Sequence, residues 1–353
     1  MKVSVCVPAY ERPEMLAQLI ETFAAQDHDD RELCISDDSP SDAVARIVEQ
    51  MAVPGTVYQR NPINLGYARN LHAALSMATG EVIVILGDDD LFASPAALSK
   101  YAAAFDAAPH ADFAYSNLVQ VDASLHSTLL YPFFKSDVVY SAGIESIKNL
   151  LLRSILITGI GLRRSSPIER YYPSQNMLFP QVEMVGRLLA NGEGIGISSF
   201  LCATRAHSDQ LGFKAIKGQR IKGGERHGNV EIMEITRGLI RDDPSMAVVR
   251  PSIERNLLRA FTTNLVNEKI LTGNRAMARN AYDLMKNTRV SGASLALVAV
   301  CVVAIVLPTP WALAMKNAIR SRVADRQFDR AAIDIRDVSS FWKCLPESDD
   351  QQI

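Results

Sequence analysis

Val82-Ile83-Val84-Ile85-Leu86-Gly87-Asp88-Asp89-Asp90 is the stretch on which the fold turns. Val82 to Leu86 are strongly β-prone and unbroken by a polar residue, which reads as a strand buried on both faces of a parallel sheet. One glycine later come three carboxylates, which repel one another unless a cation compensates them. In open α/β sheets, ligands bind outside the carboxyl ends of the strands. An acidic cluster there points to a divalent cation with oxygen ligands and, behind it, a phosphate-bearing substrate.

Upstream of this stretch, strands and helices alternate. Val3 to Pro8 is a strand. Arg12 to Ala25 has helical spacing, with Leu16, Leu19, Ile20 and Phe23 on one face and Pro13 in the first turn. Glu32 to Ser36 is a second strand, ending in Asp37-Asp38-Ser39. Ser41 or Asp42 can cap a helix from Ala43 to Met51. Thr56 to Gln59 is a third strand, and Tyr67 to Met77 is a helix punctuated by Thr79-Gly80. This alternation implies a parallel sheet with right-handed crossovers. Downstream, Asp112 to Val121 reads as a strand, 122–140 as irregular, and Ile144 to Ser154 and Pro180 to Ala190 as helices. Ile195 to Thr204 is a strand. Asn229 to Arg241 and Ser252 to Thr272 are helical. Between them, 214–226 is rich in Lys, Arg and Gly and reads as a loop, either solvated or able to close over donor phosphates. Residues 110–180 otherwise carry no readable pattern.

The 353 residues suffice for one large domain or two ordinary ones. A hydrophobic content of 48% supports a sizeable core, and a net charge of −2 gives no nucleic-acid footprint. Cys6, Cys34, Cys202, Cys301 and Cys344 are scattered without a CxxC pair. They read as thiols of a reducing compartment, not as a zinc site or disulfide framework. The chain enters its first strand at once, so no signal peptide is expected and the catalytic part is expected to be cytoplasmic. Ala293 to Met315 is uncharged but interrupted by Pro308 and Pro310. Lys286 and Arg289 flank it on one side, and Lys316, Arg320 and Arg322 on the other. A spanning helix needs about 20 apolar residues. Basic flanks on both sides suit a re-entrant or interfacial segment on an anionic inner-membrane surface, against a buried helix or an oligomer contact. The expected division is 1–212, a catalytic domain; 213–290, a helical extension; 291–325, the apolar segment; and 326–353, a tail.

Four motifs fall at successive strand ends: Pro8-Ala9-Tyr10-Glu11-Arg12, Ser36-Asp37-Asp38-Ser39, Asn64-Leu65-Gly66 with Arg69-Asn70, and Gly87 with the acidic triplet. Together with Val5-Cys6-Val7 and Ala78-Thr79-Gly80-Glu81, their order and spacing resemble the family 2 glycosyltransferases of the GT-A fold over roughly residues 1–210. The resemblance implies an α/β, Rossmann-like, mostly parallel central sheet with flanking helices, here followed by a helical C-terminal region. It also implies a nucleotide-sugar donor, a divalent Mg or Mn, and inverting transfer to an acceptor hydroxyl. By the same resemblance, Asp89 falls at the metal-binding aspartate and Asp88 faces the ribose or the metal's waters, with Asp90 a third available carboxylate. His207 matches a histidine near metal and diphosphate. Gly87 stands where the commoner Asp-x-Asp has its first aspartate. The bland reading of the triplet is a solvated turn or a helix N-cap by Asp90.

Asp37 matches the aspartate that recognises the base. A carboxylate accepts from uracil or thymine N3–H and repels cytosine N3, which favours UDP or dTDP donors. Its alternative is an Asx-turn, which fits Asp38 and Asp42 better. Pro8, Ala9 and Glu11 line the nucleoside pocket by resemblance. Arg69 pairs with the diphosphate or the acidic triplet, or is a solvated helix charge. Inverting transfer needs a general base. In the family this residue opens a helix just before an Arg-Leu pair, here Arg187-Leu188, and the matching position is Gln181. The nearest carboxylate, Glu183, is the expected base, although a two-residue step turns a helix by about 200° and both cannot face one site. Its alternative is a first-turn glutamate stabilised by the helix dipole. The functional expectation is transfer of a hexose or deoxyhexose to a lipid-linked or oligosaccharide acceptor in surface-polysaccharide synthesis. The rival is a non-catalytic scaffold on the same fold. A sugar-phosphate nucleotidyltransferase would carry a Gly-rich loop after strand one, and Pro8-Ala9-Tyr10-Glu11 has none.

Overall fold

A computed structural model describes residues 1–121, 125, 127–173, 177–205 and 228–257, the stretches 127–129 and 228–230 by backbone alone. They fall into two units, divided between His207 and Ser208.

The first unit is built on one ten-stranded sheet. The strands β1 (Val3–Ala9), β2 (Arg31–Asp37), β3 (Thr56–Arg60) and β4 (Val82–Ile85) run parallel in the order β3-β2-β1-β4. The apolar runs explain the order: β1 and β4 are buried at every position, whereas β3 is largely exposed and forms the edge. Beyond β4 the sheet is mixed. It continues through β9 (Ile160–Arg163), antiparallel to β4 and to β6 (Ala111–Val121). Then come β10 (Glu193–Arg205), parallel to β6, and the two-residue β5 (Leu91–Phe92), antiparallel to β10. The stretch expected to be irregular holds β7 (Ser127–Tyr131), paired with the far half of β6, and β8 (Val138–Tyr140), paired with β10.

Helices α1 (Pro13–Ala24), α2 (Ala43–Met51) and α3 (Tyr67–Ser76) match the expected spans closely. Leu16, Leu19, Ile20 and Phe23 are the buried face of α1. Asp42 occupies the N-cap of α2 but its side chain makes no cap bond, pairing with Arg46 instead. Helix α4 (Ala97–Ala107) was not expected from the sequence. It buries Leu98, Tyr101 and Phe105. The helix read from Ile144 to Ser154 is α5 (Ile144–Leu150) continued as a 3-10 helix, Leu151–Ile155, and α6 (Ile168–Tyr171) and α7 (Pro180–Asn191) follow. The second unit contains α8 (Gly228–Asp242), a 3-10 helix Pro244–Val249 and helical residues 250–257. Ile232, Met233, Ile235 and Leu239 share its interior with Met246, Val249, Ile253 and Leu257. Among the described residues no helix is long and apolar enough to cross a membrane. The apolar segment 293–315, the basic loop 214–226 and the end of the Ser252–Thr272 helix lie outside the described residues. Cys6, Cys34 and Cys202 are buried free thiols, as their strand positions imply.

At the amino ends of β1, β2 and β4, the nearly buried Glu32 accepts from Lys2 Nζ (2.6 Å), Ser4 Oγ (2.6 Å) and the Thr79 N–H (2.6 Å). Burial pushes this carboxyl up, but the bonds from Lys2, Ser4 and Thr79 outweigh it and hold the pKa at about 2. A depressed carboxyl contributes stability that is complete above its unfolded pKa of about 4.3 and is lost as pH falls toward 2. Glu32→Gln is therefore expected to cost about 1–3 kcal/mol at pH 7. Urea unfolding at pH 7 and pH 3 checks this, the gap between wild type and variant being smaller at pH 3.

Candidate active site

The carboxyl ends of β1, β2 and β4 lie side by side, and their loops meet there. Pro8 is tolerated near the end of a central strand because the β1–β4 ladder ends at Cys6↔Ile85, so its missing N–H serves no neighbour. The next loop is held by a polar network. The Asp38 N–H donates to the Ala9 carbonyl (3.0 Å), and the Asp38 carboxylate accepts from Asn61 Nδ2 (2.8 Å) and the Gly66 N–H (2.9 Å). Asn61 Nδ2 also donates to Asn70 Oδ1 (3.1 Å), and Asn70 Nδ2 donates to the Ala9 carbonyl (3.0 Å). Asn61 and the third motif's Asn70 thus fasten α3 to β1 and β2.

Asp37 is fully buried and accepts two bonds, from the Ser39 N–H (2.9 Å) and the Tyr58 hydroxyl (2.7 Å). The Asx-turn expected of Asp38 or Asp42 is made by Asp37: Asp38 is committed to Asn61 and Gly66. Glu11 adopts a left-handed backbone, φ 56°, in the β1–α1 turn. Its N–H donates to Ser39 Oγ (2.8 Å), and its carboxylate accepts from Ser41 Oγ (2.9 Å), which joins the first two motif loops. A non-glycine residue in that region carries local strain.

The acidic triplet is buried, and its members face different ways. Asp88 accepts from the Tyr10 N–H (2.8 Å) and pairs with Arg12 Nη1 (2.7 Å). Arg12 also lies 3.6 Å from Asp89 Oδ2, and the Asp89 carbonyl accepts from Arg205 Nε (2.9 Å). Asp90 turns inward, where it accepts from the Gly87 N–H (2.8 Å) and the Thr158 hydroxyl (2.7 Å). The segment after it is β5, so Asp90 caps no helix. Burial raises the pKa of Asp88 and of Asp90, and the charge of Asp89 raises both further. Gly87 has a physical reason: a Cβ there would stand 2.7 Å from Asp89 Oδ1 and 3.0 Å from Asp90 Oδ2. A side chain at 87 would force the Asp89 or Asp90 carboxylate to move.

Among the described residues no group of three His, Cys, Asp or Glu side chains is set to enclose a metal ion. His207, the expected third ligand, lies outside the described residues. Mg and Mn nonetheless fit the donors present. Mg binds through one or two carboxylates together with waters and substrate phosphates, and Asp88 and Asp89 offer two buried carboxylates.

Arg12 is the cation the sequence reading overlooked, although it stood in the first motif. Arg69 is exposed on α3, and among the described residues no ion pair joins it to the triplet. Glu183 is partly buried and held in an ion pair. Arg187 donates to its Oε1 from Nε and from Nη2, both at 2.7 Å, one helical turn away. The α7 side chain that turns inward is Gln181, which accepts from the Tyr67 hydroxyl (3.2 Å) and donates to the Ile155 carbonyl (3.3 Å). Tyr67 is half-buried; desolvation of its hydroxyl and then the charges of Asp90 and Asp89 raise its pKa, and the same hydroxyl bonds Gln181. We expect Glu183→Gln to change the transfer rate by less than about tenfold. A general base contributes 10²- to 10⁴-fold, and a loss of that size in steady-state assays would restore Glu183 to the role.

Residues 4–166 match the family model described as "Glycosyl transferase family 2". Among curated proteins, the chain is 36% identical over 99 residues to abequosyltransferase RfbV of Salmonella typhimurium. It is 30% identical over 92 residues to the GalNAc(5)-diNAcBac-PP-undecaprenol beta-1,3-glucosyltransferase of Campylobacter jejuni. The two alignments take in 26% and 25% of this chain and 29% and 30% of those relatives, so the chain is matched over less than a third of their length. Among solved structures, S. aureus TarS 1-349 in complex with UDP-GlcNAc superposes with a TM-score of 0.56 at 15% identity, over 86% of this chain and 89% of that one. At that identity the likeness is one of fold, and it is the GT-A fold.

Proposed function

We propose, starting from the family 2 glycosyltransferase domain that residues 4–166 form, that this chain transfers a sugar from a nucleoside-diphosphate sugar to an acceptor hydroxyl. The observation that carries the reading is the meeting, at one sheet edge, of the Asp37 loop on β2 with the Asp88 and Asp89 loop after β4, joined through the turn after β1, whose Glu11 N–H bonds Ser39 and whose Tyr10 N–H and Arg12 bond Asp88. In this reading Pro8, Ala9 and Glu11 border the nucleoside. Asp37 accepts from a uracil or thymine N3–H, which takes the place of the Tyr58 hydroxyl. Arg69, exposed on the first turn of α3, meets the diphosphate from solvent. Asp88 and Asp89 would hold Mg or Mn; when bound, such an ion neutralises the charge developing on the leaving diphosphate. Arg12 keeps the two carboxylates from repelling each other in its absence. Gln181 and Tyr67 orient the acceptor hydroxyl from the α7 side.

RfbV and the Campylobacter enzyme are named as sugar transferases, the latter on an undecaprenol-linked saccharide. They support a lipid-linked or oligosaccharide acceptor in surface-polysaccharide synthesis. The place of action we propose is the cytoplasmic side of the inner membrane, with 293–315 as the associating segment. The domain division proposed above places that segment after a helical extension. The test is release of nucleoside diphosphate from sugar nucleotides by the full chain with Mn, detergent and lipid acceptor. Absence of release with every sugar nucleotide overturns the reading. The second reading, a non-catalytic scaffold of a polysaccharide assembly complex, draws on Gln181 at the base position. It predicts that donor binding and function are indifferent to Asp89→Ala.

A further inference from the structure

We propose that Arg153, standing over Phe133 and beside Tyr115, is the anion-binding residue of an acceptor subsite that takes a phosphate or diphosphate carried by the acceptor. The proposal rests on the glycosyltransferase reading above. The Arg153 guanidinium lies 4.4 Å from the centroid of the Phe133 ring. Phe133 packs in turn on Tyr115, 5.8 Å between centroids, and stacks on Tyr131 at 5.9 Å. Arg153 Nε is buried and has no hydrogen-bond partner. Among the described residues no carboxylate pairs with it. The groups that influence its charge are burial, which lowers its pKa, and then the phenols of Tyr115 and Tyr140. A desolvated cation without a counter-ion is costly, and an aromatic face offsets only part of that cost. The planar guanidinium fork matches phosphate oxygens.

The position of Arg153 ties it to the candidate active site. It sits in the 3-10 helix Leu151–Ile155, and the residues that follow reach every part of the acceptor side. The Ile155 carbonyl accepts from Gln181, the Leu156 carbonyl from the Tyr115 hydroxyl (3.5 Å), and the Thr158 hydroxyl donates to Asp90. Tyr115 lies on β6, on the opposite side of β4 from β2 and Asp37. The proposed base pocket and this anion site therefore flank the acidic loop, as donor and acceptor must.

The experiment is calorimetric titration of the full chain with inorganic pyrophosphate, after saturation with UDP and Mg so that the donor site is filled. A pyrophosphate site is expected to remain, and Arg153→Met is expected to weaken it by about 10- to 100-fold with UDP affinity unchanged. Arg153→Lys, which keeps the charge and loses the fork, is expected to weaken it less, and it carries the test if the Met variant does not fold. Arg153→Met removes a half-buried charge that no carboxylate balances among the described residues, at similar volume, so its unfolding midpoint should stay level or rise. Retained pyrophosphate affinity in both variants, with a lowered midpoint, assigns Arg153 to packing and overturns the proposal. Pyrophosphate that binds only by displacing UDP overturns it also. If UDP itself does not bind, the donor reading fails and takes this proposal with it. If UDP binds and no second site exists, this proposal alone fails.

Discussion

Asp89→Ala is expected to lower sugar transfer by about 10²- to 10³-fold, the scale set by removing one group that stabilises developing charge in a transition state. The fold should not suffer. Asp89 is packed beside Asp88 and Asp90, and its carboxylate raises both their pKa values. Deleting it relieves like-charge repulsion, while Asp88 keeps its own pair with Arg12 and its bond from the Tyr10 N–H. The Asp89 carbonyl that receives Arg205 Nε is backbone and survives the substitution. Unfolding midpoint and initial rate, measured on the same preparation, separate the two effects. A variant as active as wild type would falsify the role of the triplet at the diphosphate.

Gly87→Asp is expected to damage the site, although it writes the commoner Asp-x-Asp pattern into the chain. The glycine Cβ position is 2.7 Å from Asp89 Oδ1 and 3.0 Å from Asp90 Oδ2, both on short side chains in a buried loop. A Cβ forces at least one carboxylate to rotate, and a fourth carboxylate adds charge that Arg12 already balances only in part. Asp90 would lose its alignment with the Gly87 N–H and Thr158. The expected result is a stability loss of about 1–3 kcal/mol, as for overpacking elsewhere, and transfer reduced by about 10²-fold or more. Urea unfolding and steady-state kinetics read the two losses. Gly87→Asp with raised activity would mean that the triplet adopts another arrangement when the enzyme works.

What was legible in the sequence divides at β4. The first four strands are β-prone runs of four to seven residues, the last three closed by Asp37, Asn61 and Gly87, and the helices between them show one apolar face, so period and punctuation agreed. After β4 the signals fade for physical reasons. β5 has two residues and β9 four, too short for a period to register. Helix α4 is rich in alanine, which favours helix without marking a face. The site shows the same division. The strand-end motifs located its loops, because strand ends of a parallel sheet share an edge. Which side chains meet was set by long-range contacts that no local pattern carries. Arg12 reaches Asp88 from 76 residues away, and Tyr67 reaches Gln181 from 114. The helical step between Gln181 and Glu183 said that only one could face the site. Choosing between them required the contact of α7 with Tyr67 and with the Ile155 carbonyl.

The claim at the centre of this account is that the strand-end loops hold a nucleoside diphosphate whose base is read by Asp37. Calorimetric titration of UDP, dTDP and CDP, each with Mn, into the full chain and into Asp37→Asn tests it directly. UDP or dTDP is expected to bind, and CDP at least about tenfold more weakly, because a carboxylate accepts from N3–H and repels an acceptor nitrogen. Asp37→Asn is isosteric and keeps one acceptor oxygen for the Ser39 N–H, but it puts an amide donor where the other oxygen accepts from the Tyr58 hydroxyl, so it should erase that preference. Equal binding of all three nucleotides, unchanged by Asp37→Asn, would contradict it.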